Sequence, residues 1–280
     1  MKNYLVLVGH KGYVGSEVLR ELQEDNFNVI TLERGQTIKP YISDLYGVVN
    51  CAGWGGNTCI DEVVDDVRKC EMDNFELVAE LNSSLQYAKS DVPFITMSTG
   101  CMFSDLYGAS INTEPNNFNP YTLLKLKAEK EISHENTLIL RPRLIFSDKV
   151  SSRNPLYKIV NYDQVFDSQE SATPLVALTR YIKEALVIMK KNPLPKKFIS
   201  HCVSRKHINW AEVAEVMKQK GMRGDFEKIS PRAFNGFSKV QRSSTLLIDN
   251  LLDGTSRFPR DAQHVAINML DSLKANMSIQ

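Results

Sequence analysis

The chain has 280 residues, enough for one large or two modest domains that bury a core without disulfide or metal support. Its 34 basic residues against 33 acidic ones leave a net charge of +1, which gives no footing for nucleic acid or an anionic membrane surface as partner. The five cysteines, Cys51, Cys59, Cys70, Cys101 and Cys202, are odd in number and irregular in spacing, so they predict a reducing, cytoplasmic setting and no metal site.

The first apolar run, residues 4–8, follows a single Lys and is too short for a signal peptide or a membrane span. Strand-length runs recur at 28–32, 47–50, 93–97 and 137–140. Helical stretches lie between them at 15–23, 59–87 (with breaks) and 121–133. This alternation predicts an α/β fold with a doubly wound parallel sheet, and in such a fold the ligand lies beyond the carboxyl ends of the strands. After Arg143 the pattern loosens into short strands (164–167, 197–201) and helices (175–190, 208–220, 261–275). Residues 1–150 therefore read as a cofactor-binding domain, and 151–280 as a smaller mixed α/β lobe that closes over the substrate and shares sheet-packing segments with the first.

Directly after the first strand, Gly9-His10-Lys11-Gly12-Tyr13-Val14-Gly15 opens a helix. Glycines there let the backbone turn tightly and approach a pyrophosphate at the helix amino end. The spacing is G-x-x-G-x-x-G, and alone it also fits a glycine-rich turn with no ligand. The second strand ends Leu32-Glu33-Arg34, where a carboxylate suits a ribose 2′-hydroxyl and an arginine suits a 2′-phosphate. With Lys11 as a second cation the preference is NADP, and NAD is the alternative. Each cation taken singly also reads as a solvated surface charge.

Asn50-Cys51-Ala52-Gly53 closes the third strand in small residues, as a sheet must where a flat cofactor crosses it. Ser98-Thr99-Gly100-Cys101 follows the strand ending at Met97 and offers a hydroxyl to a carbonyl. Then comes Asn119-Pro120-Tyr121-Thr122-Leu123-Leu124-Lys125. Asn119 is a favoured helix cap and Pro120 suits the first helical position. Tyr121 and Lys125 share one face, about 5–6 Å apart at Cβ. A fixed neighbouring cation favours the phenolate, so the pair reads as a tuned acid/base. The same spacing also fits an aromatic ring on the core beside a solvated lysine.

In this order the segments resemble the extended short-chain dehydrogenase/reductases that act on nucleotide sugars. The resemblance runs through nearly the whole chain and implies a Rossmann-type sheet and a nicotinamide cofactor held by Gly9, Lys11, Gly12, Tyr13, Val14, Gly15, Glu33, Arg34, Cys51, Ala52 and Gly53. It also implies a proton-transferring Tyr121, a Lys125 that binds the nicotinamide ribose and lowers the tyrosine pKa, and a carbonyl-orienting Thr99 with Ser98 adjacent.

Within the family, Thr99-Gly100-Cys101-Met102-Phe103 is similar to the Thr-Gly-Cys-x-Phe of GDP-fucose synthase and of the nucleotide-rhamnose 3,5-epimerase/4-reductases. Leu140-Arg141-Pro142-Arg143, Arg153-Asn154-Pro155-Leu156-Tyr157-Lys158-Ile159 and Gln241-Arg242-Ser243-Ser244 resemble the second group. There the cysteine and a lysine, here Cys101 and Lys158, serve as the acid/base pair for epimerisation. A ketone at sugar carbon 4 acidifies the hydrogens at carbons 3 and 5, so one group removes such a proton and another returns it. Ser98, Met102, Arg153, Asn154 and Arg242 are the expected substrate contacts, with Arg242 as a diphosphate clamp.

The expected partner is a nucleoside-diphosphate sugar; the sequence leaves the oligomeric state open, and the resemblance adds that a homodimer is common in the family. The alternatives are a plain 4-ketoreductase in which Cys101 is silent, and a non-catalytic NADP-binding subunit. The last is disfavoured because Thr99, Tyr121 and Lys125 are all present.

Overall fold

A computed structural model of the chain describes residues 3–88, 91–105, 107–242, 244–248 and 258–279. Strand β1 (Tyr4–Val8) runs into helix α1 (Tyr13–Glu24) and returns as β2 (Val29–Leu32). Next come β3 (Leu45–Asn50), α2 (Glu62–Asp65), α3 (Val67–Glu71), a π-helical turn at Met72–Glu76, and α4 (Leu77–Leu85). The first half ends with β4 (Phe94–Met97), β5 (Tyr107–Ala109), α5 (Pro120–Glu131) and β6 (Thr137–Pro142). The second half opens with β7 (Ile145–Phe146), α6 (Pro155–Asn161), β8 (Gln164–Phe166), β9 (Gln169–Glu170), β10 (Thr173–Pro174) and the long α7 (Leu175–Lys191). It continues through β11 (Phe198–Cys202), β12 (Ile208–Asn209), α8 (Trp210–Gln219), β13 (Glu227–Ile229), α9 (Pro231–Phe234), β14 (Leu246–Leu247), α10 (Ala262–Asn268) and α11 (Leu270–Ser278).

Six strands form one parallel sheet in the order β2-β1-β3-β4-β6-β11. Its strands are buried on both faces, and the two-residue period sorts them into two layers. Leu5 and Leu7 pack with Val18 and Leu22 of α1 and with Leu178, Ile182 and Leu186 of α7. Val6 and Val8 face the other way, onto Val78, Leu81 and Leu85 of α4 and Ala128 of α5. The chain crosses from one side of β1 to the other between β2 and β3, and this switch point opens a crevice at the strand ends. A separate core gathers Leu156, Ile159, Trp210, Val213, Met217, Leu270 and Leu273 from the second half. However, α7 and β11, also from the second half, complete the sheet and its core.

Three expected helices differ in detail. The 59–87 stretch starts at Glu62 and breaks at Asp66, whose backbone leaves the helical region (φ −137°, ψ 67°) while its side chain caps the next helix by accepting from the Lys69 N–H. The helix expected from 208 begins at Trp210, because Ile208 and Asn209 pair with β9 and the Asn209 carboxamide oxygen accepts from the Ala211 and Glu212 N–H groups. The 261–275 stretch divides at Met269. Among the described residues no helix is long and apolar enough to cross a membrane, and no cluster of His, Cys, Asp or Glu is placed to hold a metal ion.

Candidate active site

Helix α5 begins with the capping box that its sequence encodes. The Asn119 side chain accepts from the Thr122 N–H at 3.1 Å, and the Thr122 hydroxyl accepts from the Asn119 N–H at 3.0 Å, with Pro120 at the first turn. This fixes the half-buried Tyr121 at the helix start and Lys125 one turn below. The buried Lys125 ammonium donates to the Met97 carbonyl at the end of β4 (2.8 Å) and lies 5.9 Å from the Tyr121 ring centre.

Above it passes the exit loop of β3. A Cβ on Gly53 would stand 3.0 Å from Lys125 Nζ and 2.9 Å from Asn74 Oδ1, so any larger residue would have to displace one of these groups. Asn74 belongs to the π-helical turn, whose extra residue is a frequent device at functional sites. Its amide grips the loop by donating to the Trp54 carbonyl (2.7 Å) and accepting from the Trp54 N–H (3.2 Å).

The exit of β4 supplies the next groups. The Thr99 side chain accepts from the Cys101 N–H at 3.0 Å, and its hydroxyl lies near enough to the Tyr121 phenol to act on its proton affinity. Cys101 lies beside that phenol, close enough for a charge on one to be felt by the other. Asn117 holds the Cys101 carbonyl through its amide (2.8 Å), and its own carbonyl accepts from the Thr122 hydroxyl (2.6 Å), which ties the cysteine turn to the α5 cap.

Two expected substrate contacts here have other work. The Ser98 hydroxyl points away from Tyr121 and donates to Glu129 at 2.5 Å, inside a buried pair in which Arg141 spans the same carboxylate (2.9 and 2.5 Å). Met102 is fully buried in a cluster with Phe103, Ala109, Val203 and Leu247, so its side chain faces the interior.

Burial governs the electrostatics. It pushes the Lys125 ammonium down to about 8, against the opposing pull of Cys70, Glu129, Asp73 and Cys51. It pushes the Cys51 thiol up to about 12, with Lys125 pulling the other way. The Tyr121 phenol is also raised, first by burial and then by the charge of Cys101, while the Thr99 hydrogen bond and Arg153 oppose the rise. The lowered tyrosine expected from sequence is therefore not found in the chain alone: the phenol keeps its proton, the form an acid needs.

The glycine loop lies across the switch point. Gly9 takes φ +80°, and a Cβ there would come within 2.5 Å of the Ala52 nitrogen; on Gly15 it would come within 2.1 Å of the Gly9 carbonyl oxygen. Helix α1 starts at Tyr13 with no side-chain cap on its first N–H groups, an arrangement suited to a phosphate. Uncapped N–H groups, a loop that a Cβ would block and small residues at Cys51, Ala52 and Gly53 together fit a dinucleotide. The Tyr13 hydroxyl is hydrogen-bonded to Ser147 (2.8 Å), and Val14 packs on the sheet core. The expected phosphate-seeking cations already have carboxylate partners. Lys11 meets Glu33 at 2.6 Å, and Arg34 meets Asp73 at 2.8 Å. Lys11 holds the exposed Glu33 carboxyl below its ordinary range.

The second half supplies the rim. Lys158 on α6 donates to the Thr58 carbonyl (2.6 Å), and its ammonium is lowered first by burial and then by Arg153, with Cys59 opposing. Exposed Arg153 thus acts electrostatically on both Lys158 and Tyr121, although Lys158 is bonded to the 57–60 loop rather than to the Cys101 turn. Asn154 is fully buried; its side chain caps α6 at Leu156 N–H and donates to the Ser147 and Lys149 carbonyls (both 2.7 Å), so its amide is committed to bonds within the fold. Arg242 is clasped by Asp61 (3.1 and 3.3 Å) and donates to the Val240 carbonyl (2.6 Å). Its neighbour Ser243 lies outside the described residues, as does Leu106 in the loop before α5.

Three functional positions escaped sequence reading. Asn74 and Asn117 are isolated asparagines whose roles exist only through long-range contacts. Arg143, just after β6, is a buried arginine paired with Glu170 of β9 (2.7 Å), a contact across 27 residues of sequence.

Residues 5–138 match the family model described as the NAD dependent epimerase/dehydratase family. No curated protein matches the sequence. Among solved structures the chain is similar to a UDP-rhamnose synthase from Acanthamoeba polyphaga mimivirus, at 19% identity and TM-score 0.78 over 96% of this chain and 99% of that one. It is similar to the dTDP-4-dehydrorhamnose reductase of Bacillus anthracis str. Ames in complex with NADP, at 14% identity and TM-score 0.77 over 100% of both chains. MoeE5 in complex with UDP-glucose and NAD has 12% identity and TM-score 0.80 over 98% of this chain and 100% of that one. At these identities the likeness establishes the fold; two of the names carry UDP and one dTDP, and the two complexes hold NADP in one case and NAD in the other.

Proposed function

We propose that this chain, whose residues 5–138 match the NAD dependent epimerase/dehydratase family model, is a nucleotide-sugar enzyme that carries out NADPH-dependent 3,5-epimerisation and 4-keto reduction of a nucleoside-diphosphate 4-keto-6-deoxyhexose. The observation that carries the reading is one cluster: Thr99 and Cys101 beside the Tyr121 phenol, and Lys125 one turn below, fixed by the Met97 carbonyl.

A bound nicotinamide cofactor supplies hydride for the ketone carbon. The chain's own residues manage the protons. Thr99 and Tyr121 bracket the carbon 4 oxygen, and the protonated phenol gives its proton to the alkoxide that forms. Lys125, fixed by the Met97 carbonyl, keeps a cation under that site, and Gly53 leaves room for a ribose beside it. For epimerisation, the carbon–hydrogen bond next to the ketone breaks, its proton passes to Cys101, and its electron pair spreads onto the carbon 4 oxygen. Lys158 returns a proton from the opposite face.

Offering NADPH with a UDP-, dTDP- or GDP-linked 4-keto-6-deoxy sugar in D2O tests this. Deuterium at carbons 3 or 5 that disappears in Cys101→Ser is expected. Reduction without incorporation would leave the second reading, a plain 4-ketoreductase, which the bond between Lys158 and the Thr58 carbonyl favours.

A further inference from the structure

We propose that Glu62 is a positioning residue for Lys158: it folds the 55–60 loop onto its carboxylate, and the loop carbonyl so placed, that of Thr58, holds the Lys158 ammonium at the site. This rests on the epimerase half of the reading above, in which Lys158 returns a proton. Glu62 opens α2, and its carboxylate turns back over the loop before it. It accepts from the backbone N–H groups of Asn57 (2.7 Å), Thr58 (2.9 Å) and Cys59 (3.3 Å) and from the Thr58 hydroxyl (2.7 Å). The turn inside the loop needs Gly56, which takes φ +82° and where a Cβ would collide with the Cys59 carbonyl. The Trp54 indole N–H donates to Asn57 Oδ1 at 3.1 Å and ties the loop to the segment that Asn74 grips. The Asn57 N–H first, then the Thr58 hydroxyl and N–H, hold the Glu62 carboxyl down to about 2, so this cap is intact at neutral pH.

The loop so folded touches both halves of the site. Gly55 lies against the Tyr121 ring, since a Cβ there would stand 3.6 Å from its Cε2 atom, and Ile60 and Tyr121 pack on the same small core as Trp54 and Val63. Three residues after Gly55, the Thr58 carbonyl accepts from Lys158 of α6 at 2.6 Å, a contact across 100 residues of sequence. Asn154 caps the start of α6, so the lobe places the Lys158 backbone and the loop places its ammonium.

A carbonyl that accepts from an ammonium favours the charged form, which is the form able to return a proton. An ammonium has three N–H donors, and the Thr58 carbonyl takes one of them. In the returning step an N–H bond of Lys158 breaks as the new carbon–hydrogen bond forms. The electron pair for that bond comes from the enolate left after the first proton has gone, and the amine regains its proton from water. A plain reductase needs Tyr121 and Lys125 but has no use for an ammonium fixed to the loop that lies on its tyrosine.

The test follows acetylation of each lysine by acetic anhydride and alkylation of each cysteine by iodoacetamide, read peptide by peptide by mass spectrometry on the folded full chain. Glu62→Ala is expected to raise the Lys158 rate about tenfold, as the loss of one bond to a charged group would, with Glu62→Gln between. Cys70, buried beside Trp54 and Val63, should stay protected in both variants. An unchanged Lys158 rate overturns the proposal, and so does a parallel exposure of Cys70, which would make Glu62 a prop of the local core. In turnover, Glu62→Ala should lower deuterium wash-in at carbons 3 and 5 about tenfold more than it lowers reduction of an already epimerised 4-keto sugar, because a displaced acid costs the step it serves. Equal losses overturn the proposal as well. If the wild type shows no wash-in while the Lys158 rate still depends on Glu62, the epimerase reading is overturned and the hold of the loop on Lys158 stands.

Discussion

The sheet wall of the site and its lobe wall are held in different ways. On the sheet side, Thr99, Cys101, Tyr121 and Lys125 are fixed by a helix cap, a strand-end carbonyl and buried amides. On the lobe side, Lys158 rests on a loop carbonyl, Arg242 on one carboxylate, and Arg153 is exposed. Groups that must meet a reacting atom to within fractions of an ångström sit on rigid elements. Those that face the rest of a substrate stand where side chains can still move. The contrast predicts that changes on the sheet wall cost turnover or stability outright, and that changes on the lobe wall alter how substrate is gripped.

The largest expected effect is on chemistry. Tyr121→Phe removes only the phenolic proton donor and should lower the rate of 4-keto reduction by about 10²–10⁴-fold, followed by NADPH absorbance. Lys158→Met should leave reduction of an already epimerised 4-keto sugar close to wild type. Equal losses in the two variants would erase the division between the walls.

Stability offers the next contrast. Arg141→Met leaves the Glu129 carboxylate buried without its guanidinium and should cost about 3–5 kcal/mol in urea unfolding. Breaking an exposed pair, such as Lys239 with Asp65, should leave the urea midpoint unchanged, because solvent screens it. A small loss at Arg141 would mean that the sheet wall relaxes more readily than its hydrogen bonds suggest.

Lys125 gives a signature in pH. Burial holds its ammonium at about 8, below the ordinary lysine value of about 10.4. Between those two values the unfolded chain binds this proton and the folded chain does not, so stability contributed by this group rises with pH across the window. Below about 8 both states carry the proton and the full penalty applies. The rise amounts to about 3 kcal/mol, and it should appear as the difference between wild type and Lys125→Met in urea melts at successive pH values. A flat difference would show that Lys125 is solvated in the folded chain.

The two walls also differed in how much of them could be read beforehand. Asn119-Pro120-Tyr121 encodes its own helix start, and the strand-length runs gave the five main strands of the first half to within two residues at each end, because both signals are local. Ser98, Met102 and Asn154 were expected to meet substrate, yet their side chains turn to Glu129, to the Phe103 cluster and to the α6 cap. One residue of offset along a strand end reverses the side-chain direction, and a motif does not carry that sign. The Asn74 grip on Trp54, the Arg143–Glu170 pair and the Asp61–Arg242 clasp join residues far apart in sequence, so no local pattern announces them.

That clasp supports the smallest and most discriminating comparison. Asp61 and Arg242 are each about one-fifth exposed, so breaking the pair should cost no more than about 1 kcal/mol. If the Arg242 guanidinium is meant for a substrate diphosphate, Asp61 competes with the phosphates for it. Arg242→Gln should then raise KM with kcat nearly unchanged, and Asp61→Asn should lower KM by releasing the arginine. If the clasp only pins residues 238–242 against α2, both substitutions loosen the same contact and both raise KM. Opposite signs in steady-state kinetics therefore assign Arg242 to the ligand, whereas equal signs assign it to the fold, and the second result would make the lobe wall as structural as the sheet wall.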